Sequence, residues 1–303
     1  MRKVILLIAI TLIFSCKNET NKEDGKLNVV TTTTMITDLV KNIGGEHINL
    51  QGLMGSGVDP HLYKASEGDV SKLVDADIIF YNGLHLEGKL VDIFEKMGSG
   101  DKTPIALASE INKKQLIGSD YFASNYDPHV WFNIDFFKQF VEKVTIVLCE
   151  KDPKNAEIFR ANEKRYLTEL DFLKKDVQSV VDALQPEKRI LVTAHDAFNY
   201  FGKAYDFNVV GLQGLSTATE AGVQDVQKLS AFIIENNIKA IFIESSVPKR
   251  TIEALQEAVK SKGHDVEIGG TLYSDALGNA GTLEGTYVGM YRYNIKTIVT
   301  GLQ

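Results

Sequence analysis

The stretch DPKNAEIFRANEKRYLTELDFLKKDVQSVVDALQP, residues 152–186, decides the architecture. Asp152 is placed to cap a helix, with Pro153 in its first turn. Phe159, Tyr166, Leu170, Leu173, Val177, Val180 and Leu184 then recur in steps of seven, four and three, which trace one apolar helix face. Gln185-Pro186 ends the pattern, because a proline disfavours helix in the residue before it. A helix of about 32 residues would run roughly 48 Å at 1.5 Å per residue. A strand-and-helix pattern precedes this segment and restarts directly after it. The segment therefore reads as a connector between two lobes, not as one helix inside a single large domain.

Working outward, β-type runs are expected at 27–31, 48–53 and 78–81, with helices over 35–43 and 67–74. Gly44-Gly45 stops the first of these helices. Downstream, strands are expected at 189–193, 208–212, 239–243 and 266–269, and helices over 197–204, 224–236, 251–262 and 287–302. Strands alternating with helices imply parallel sheets covered on both faces. The expected fold is α/β, with two lobes, each a parallel sheet flanked by helices, joined by one long connecting helix. The boundaries are 27–151 for the first lobe, 152–185 for the connecting helix and 186–303 for the second lobe.

The far N-terminus has a different texture. Arg2 and Lys3 precede an apolar run over residues 4–14 that ends at Phe14-Ser15-Cys16. Eleven residues are too few for a bilayer core, which needs about 20, so the run reads as a signal-peptide core. A small residue followed by Cys resembles a lipoprotein processing site. Residues 1–16 are thus expected to be a lipoprotein signal with Cys16 as the lipidated residue, and 17–26 a polar tether. Cys149 is the only other cysteine. It follows Val144-Thr145-Ile146-Val147-Leu148 and is expected to be a small buried apolar residue. With so few thiols, a cysteine-based metal or redox site is excluded by count.

Hydrophobic residues make up 44% of the 303 residues and charged residues 24%, the balance of a protein with real cores. The net charge of -7 argues against a nucleic-acid partner, which would want a basic face.

Among six histidines, three sit in unusual contexts. Asp59-Pro60-His61 and Asp127-Pro128-His129 repeat one tripeptide within the first half. Proline fixes its own φ and pushes its predecessor toward extended backbone, so each histidine leaves a stiffened loop with its direction preset. His195 follows the β-type run 190–193, at the carboxyl end of a βα unit, where open α/β sheets bind ligands. Asp275 lies in a loop after another strand. Three imidazoles and a carboxylate make a full ligand set for Zn²⁺, and for Mn²⁺ if the carboxylate binds through both oxygens. Ligands spaced 68, 66 and 80 residues apart imply a site assembled by the whole fold. Glu244, at the end of a strand, is expected behind the ligands, holding an imidazole. His47, His85 and His264 have no assigned function.

With these residues in place, the chain resembles the zinc- and manganese-binding class of solute-binding lipoproteins of bacterial ABC importers. The resemblance rests on Asp59-Pro60-His61, Asp127-Pro128-His129-Val130-Trp131, Thr193-Ala194-His195-Asp196-Ala197-Phe198, Glu244-Ser245-Ser246-Val247-Pro248 and Tyr273-Ser274-Asp275-Ala276-Leu277-Gly278. It implies two α/β lobes joined by one long helix, with metal in the cleft on His61, His129, His195 and Asp275. It further implies an exported monomer tethered by lipid that serves the permease subunits of an importer. Zinc-dedicated members often carry a His-rich loop in the first lobe, and here residues 116–126 contain no histidine. Manganese-dedicated members often have Glu where His195 stands. The chain falls between these patterns and leaves the choice of metal open.

An enzyme is not expected. A metallohydrolase could use the same residues, but a catalytic zinc usually keeps one position open. No Gly-x-Ser-x-Gly elbow or Gly-x-Gly-x-x-Gly fingerprint is present. A surface adhesin is the remaining alternative, with no sequence feature to support it. Because neutral imidazoles are required, metal affinity is expected to fall as pH drops through about 6.5.

Overall fold

The computed structural model describes residues 25–98, 103–120 and 122–303. The first half runs β1 (Leu27–Thr31), α1 (Thr34–Gly44), β2 (Ile48–Gly52), α2 (Glu67–Asp75), β3 (Ile78–Tyr81), α3 (Val91–Gly98), β4 (Ile105–Ala106) and α4 (Ile134–Lys151). Its four strands form one sheet in the order β2-β1-β3-β4, parallel throughout. The inward residues are β-branched or aromatic: Val29, Val30, Ile78, Ile79 and Phe80 are all buried. At the end of α1, Gly45 takes φ 53°, a positive value that glycine adopts without steric cost. α2 opens on a capping box, in which Ser66 Oγ accepts from Asp69 N and the Asp69 carboxylate accepts from Ser66 N.

The long helix is α5 (Ala156–Asp182), 27 residues or about 40 Å. It is shorter than its sequence pattern because a separate 3₁₀ turn, Pro153–Asn155, precedes it. Asp152 does not cap backbone there; its carboxylate accepts from the Asn155 side chain at 2.7 Å. The buried stripe is Phe159, Tyr166, Leu170, Leu173, Val177 and Val181. Val180, expected inside, is 36% exposed, and Val181 continues the step of four from Val177 instead. α5 packs against α1 and α4 of the first half and against the last helix of the chain.

The second half continues with β5 (Ile190–His195), α6 (Asn199–Tyr205), β6 (Asn208–Gln213), α7 (Val223–Glu235), β7 (Ala240–Glu244), α8 (Arg250–Lys260), β8 (Glu267–Leu272) and α9 (Tyr287–Leu302). β5 pairs with β6 and β7 with β8, both parallel, and β5 lies beside β7. The fold is thus α/β, with parallel sheets in two lobes and one long helix along both. Two helices of the first lobe, α3 and α4, had no counterpart in the sequence reading. α4 carries Cys149, which is only partly buried, with Sγ 3.6 Å from Ala156 O.

One apolar cluster crosses from lobe to lobe. Phe137 stacks on Tyr287 at 3.7 Å between ring centres, and Phe132 meets Phe198 at 4.4 Å. Polar ties reinforce the seam: Tyr287 Oη donates to Trp131 O at 2.6 Å and Tyr291 Oη to Phe132 O at 2.7 Å. Prising the lobes apart would expose this seam to water, at roughly 25 cal/mol per Å² of apolar surface.

Asp38 of α1 sits where α1, α5 and α9 meet. Its Oδ2 accepts from Tyr287 N at 2.9 Å and from Tyr166 Oη at 3.4 Å. Burial nevertheless pushes its pKa up to about 6. The folded chain therefore holds this proton more tightly than the unfolded chain. Stability should decline as pH rises from the ordinary 3.8 to about 6, by up to about 3 kcal/mol, and stay lower above that. Asp38→Asn keeps an acceptor oxygen and removes the charge. We expect this variant to be more stable than the parent at pH 7.5 and to lack the decline. Denaturant unfolding at pH 4 and pH 7.5 checks it, and a variant less stable at both would rule out the buried charge as the cause.

Candidate metal centre

Each chemistry-bearing residue follows the carboxyl end of a parallel strand, where the backbone leaves the sheet and side chains converge. The loop after β2 carries His61, and the segment after β4 carries His129. His195 is the last residue of β5, Glu244 the last of β7, and Asp275 lies three residues beyond β8. β6 approaches this end closely. A Cβ on Gly211 would lie 2.5 Å from Asp196 N, so only glycine fits, and Gly211 N donates to Asp196 Oδ1 at 2.7 Å.

The structure brings His61, His129, His195 and Asp275 together, with one ligand atom from each lying within 4.8 Å of the others. All four are almost fully buried. His61 Nε2 is 3.2 Å from His129 Nε2, and His195 Nε2 is 3.1 Å from Asp275 Oδ2. His129 Nε2 lies 3.6 Å from Asp275 Oδ1, and His61 Nε2 3.9 Å from Asp275 Oδ2. A tetrahedral zinc with bonds near 2.0–2.1 Å holds its donors about 3.3 Å apart. Both Asp275 oxygens are buried and face imidazole nitrogens of the cluster, Oδ2 toward His195 and Oδ1 toward His129. A buried carboxylate is costly unless it is paired, and a cation at the centre would be shared by the carboxylate and the three imidazoles. The donor set therefore fits a divalent metal.

The nitrogens facing away from the centre are aimed as ligation requires. His129 Nδ1 is 2.8 Å from Asp127 Oδ1, and His195 Nδ1 is 2.6 Å from Glu244 Oε2. A proton held at Nδ1 leaves the Nε2 lone pair pointing inward. Glu244 Oε1 also accepts from His195 N at 2.8 Å, so Glu244 stands behind the imidazole. Phe122 meets the His61 ring edge-on.

Electrostatics separate the histidines. Burial drives the His61 pKa down to about 3, keeping that ring neutral. Burial also opposes charge on His195, but Glu244 and Asp275 outweigh it and hold the pKa well above 6.5. Burial would raise Asp275, yet His195, His129 and His61 hold it well below the usual carboxylate range.

The remaining histidines stand apart from the cluster. His47 packs edge-on against Phe159, and His264 Nε2 lies 3.2 Å from Ile238 O. His85 is exposed and meets the Phe122 ring edge-on. Cys16 lies outside the described residues.

Sequence reasoning gave no role to Asp59 and Asp127, although both lie in the repeated tripeptide. Each caps the backbone N–H two residues on, at 2.8 and 2.9 Å. That short-range turn chemistry was a readable signal. Asn199 and Thr217, which reach these aspartates from the second lobe, carried no signal in the sequence.

Over residues 29–301 the chain matches the family described as zinc-uptake complex component A, periplasmic. It is similar to the manganese-binding lipoprotein MntA of Bacillus subtilis, at 48% identity over 280 residues, spanning 92% of this chain and 91% of the relative. The metal ABC transporter substrate-binding lipoprotein SsaB of Streptococcus sanguinis is 30% identical over 305 residues, 98% of this chain and 97% of the relative. Among solved structures, the periplasmic zinc-binding protein TroA from Treponema pallidum superposes with a TM-score of 0.89. It is 49% identical, and the match covers 92% of this chain and 99% of that one.

Proposed function

The chain belongs to the zinc-uptake complex component A family, and from that premise we propose that it is the extracytoplasmic solute-binding protein of an ABC importer. It captures one Zn²⁺ or Mn²⁺ in the cleft between its lobes and delivers it to the permease subunits. The metal is cargo, and the chain is not an enzyme. His61 and His129 of the first lobe and His195 and Asp275 of the second are the ligands.

The observation that carries this reading is the convergence of four buried ligand atoms from both lobes, all within 4.8 Å of one another. Four protein ligands fill a tetrahedral zinc, so no position is left for a reacting water. A nitrogen-rich set favours zinc over manganese on intrinsic affinity. Manganese gains if Asp275 binds through both oxygens. Elemental analysis and competitive titration of the purified chain test the proposal. One tightly held ion per chain is expected, and a chain that titrates with neither metal would defeat it.

Glu244 holds His195 in register from behind, without touching the metal. The apolar seam across the lobes limits opening, so release follows distortion of the site when the permease docks. The protein acts as a monomer.

A lipid at Cys16 would tether the chain, with 17–26 as spacer. Among the described residues no helix is long and apolar enough to cross a membrane. Mass spectrometry of membrane-extracted protein should find an acylated Cys16 at the N-terminus. An intact peptide spanning Ser15-Cys16 in the mature protein would exclude the anchor.

A further inference from the structure

The two Asp-Pro-His tripeptides are built alike, and each is gripped from the opposite lobe. In the first, Asp59 Oδ1 accepts from His61 N at 2.8 Å, while Oδ2 accepts from Thr217 Oγ1 at 2.5 Å. In the second, Asp127 Oδ1 faces both His129 N and His129 Nδ1, at 2.9 and 2.8 Å, while Oδ2 accepts from Asn199 Nδ2 at 3.1 Å. One carboxylate oxygen thus fixes a first-lobe histidine, and the other is held by a second-lobe side chain. Thr217 lies in the loop after β6 and is buried; Asn199 opens α6. Each proline stands between its aspartate and histidine, so a displacement of the carboxylate is passed to the imidazole with little slack.

The second-lobe ligands are anchored differently. His195 is backed by Glu244 from its own lobe. The loop bearing Asp275 is pinned to the first lobe through backbone, with Trp131 Nε1 donating to Ser274 O at 3.1 Å and Leu277 N donating to Thr34 Oγ1 at 2.8 Å.

We infer that Thr217 and Asn199 are positioning residues that couple lobe displacement to His61 and His129, and so set the rate at which metal leaves. The inference rests on the metal-binding reading above. Small relative movement of the lobes would strain both aspartate clasps together and swing two of four ligands off the ion. Neither Thr217 nor Asn199 touches the metal, so their loss should act on departure more than on capture.

The test is stopped-flow release of Zn²⁺ from the full-length chain, loaded one to one, into excess EDTA. Thr217→Val keeps the shape and removes the donor; Thr217→Ser keeps the donor. Asn199→Leu removes the other grip. Thr217→Val and Asn199→Leu should each speed release about 10-fold or more, and the double variant should release faster than either, short of the product of the two because both grips act on ligands of one ion. Thr217→Ser should restore a near-parental rate, which a role in loop packing alone would not predict. Release within twofold of the parent for both single variants, or equal rates for Thr217→Val and Thr217→Ser, would overturn the inference while leaving metal binding intact. A parent chain that cannot be loaded one to one would overturn both.

Discussion

His195→Ala should abolish tight metal binding. The side chain is completely buried at the end of β5, with Nε2 3.1 Å from Asp275 Oδ2. Four-ligand zinc sites bind with roughly 10–16 kcal/mol at neutral pH. An equal share is about 3 kcal/mol per ligand, so a loss of at least about 100-fold is expected. Alanine also leaves Glu244 and Asp275 as two buried carboxylates without the imidazole between them, which burdens the metal-free fold. Breaking a buried ion pair by removing one partner costs about 3–5 kcal/mol, so the metal-free variant should also unfold at lower denaturant. Competition titration with a chromophoric chelator reads the first effect and denaturant unfolding the second. A variant that binds zinc as tightly as the parent would remove His195 from the ligand set.

That His195 could be singled out from the chain alone follows from the periodic features around it. The strand Ile190–His195 is a short β-branched run leading into a helix, and parallel strands deliver their carboxyl-terminal residues to one edge. The repeated Asp-Pro-His tripeptides gave the two other imidazoles, because proline makes a loop's direction legible. The long helix was visible for the same reason: an apolar stripe kept along a 27-residue helix at steps of seven, four and three fits neither a strand nor a loop. Its register failed only near the end, where adjacent Val180 and Val181 both suit the pattern and packing chose between them. α4 carried the same kind of signal, since Phe137, Phe140, Val141, Val144, Val147 and Leu148 recur at steps of three and four, so it was legible and was missed. Capping at Asp152 failed because a local side-chain contact with Asn155 competes with the backbone. The cross-lobe grips were illegible in principle. Thr217 and Asp59 are 158 residues apart, and no local pattern records such a meeting.

Metal affinity should rise steeply with pH through neutrality, and each bound ion should expel about one proton at pH 7. The proton comes from His195. Burial disfavours its charge, but Glu244 and Asp275 on either side hold its free-state pKa well above 6.5, so the free site carries that proton at neutral pH. A metal needs the Nε2 lone pair and must displace the proton there, while Nδ1 keeps its own toward Glu244. As long as pH lies below this pKa, the apparent association constant should climb about tenfold per pH unit and flatten above it. His61 adds nothing to this slope, because burial drives its pKa down to about 3 and it is already neutral. Asp275, held below the usual carboxylate range, stays anionic across the same interval. The loss on acidification should therefore extend over the whole interval below that pKa. It begins higher than the value near 6.5 that an unperturbed histidine would give. Calorimetric zinc titrations in two buffers of different ionisation enthalpy count the proton directly. No proton released at pH 7, with flat affinity from pH 7.5 to 6.5, would show that His195 is neutral in the free site. Glu244→Gln separates charge from ligation. It removes one of the two anions that raise the His195 pKa, so the proton count at pH 7 should drop and the steep region should shift to lower pH. Affinity at high pH, where no proton need be displaced, should then fall about 10–100-fold from loss of the support behind the imidazole alone.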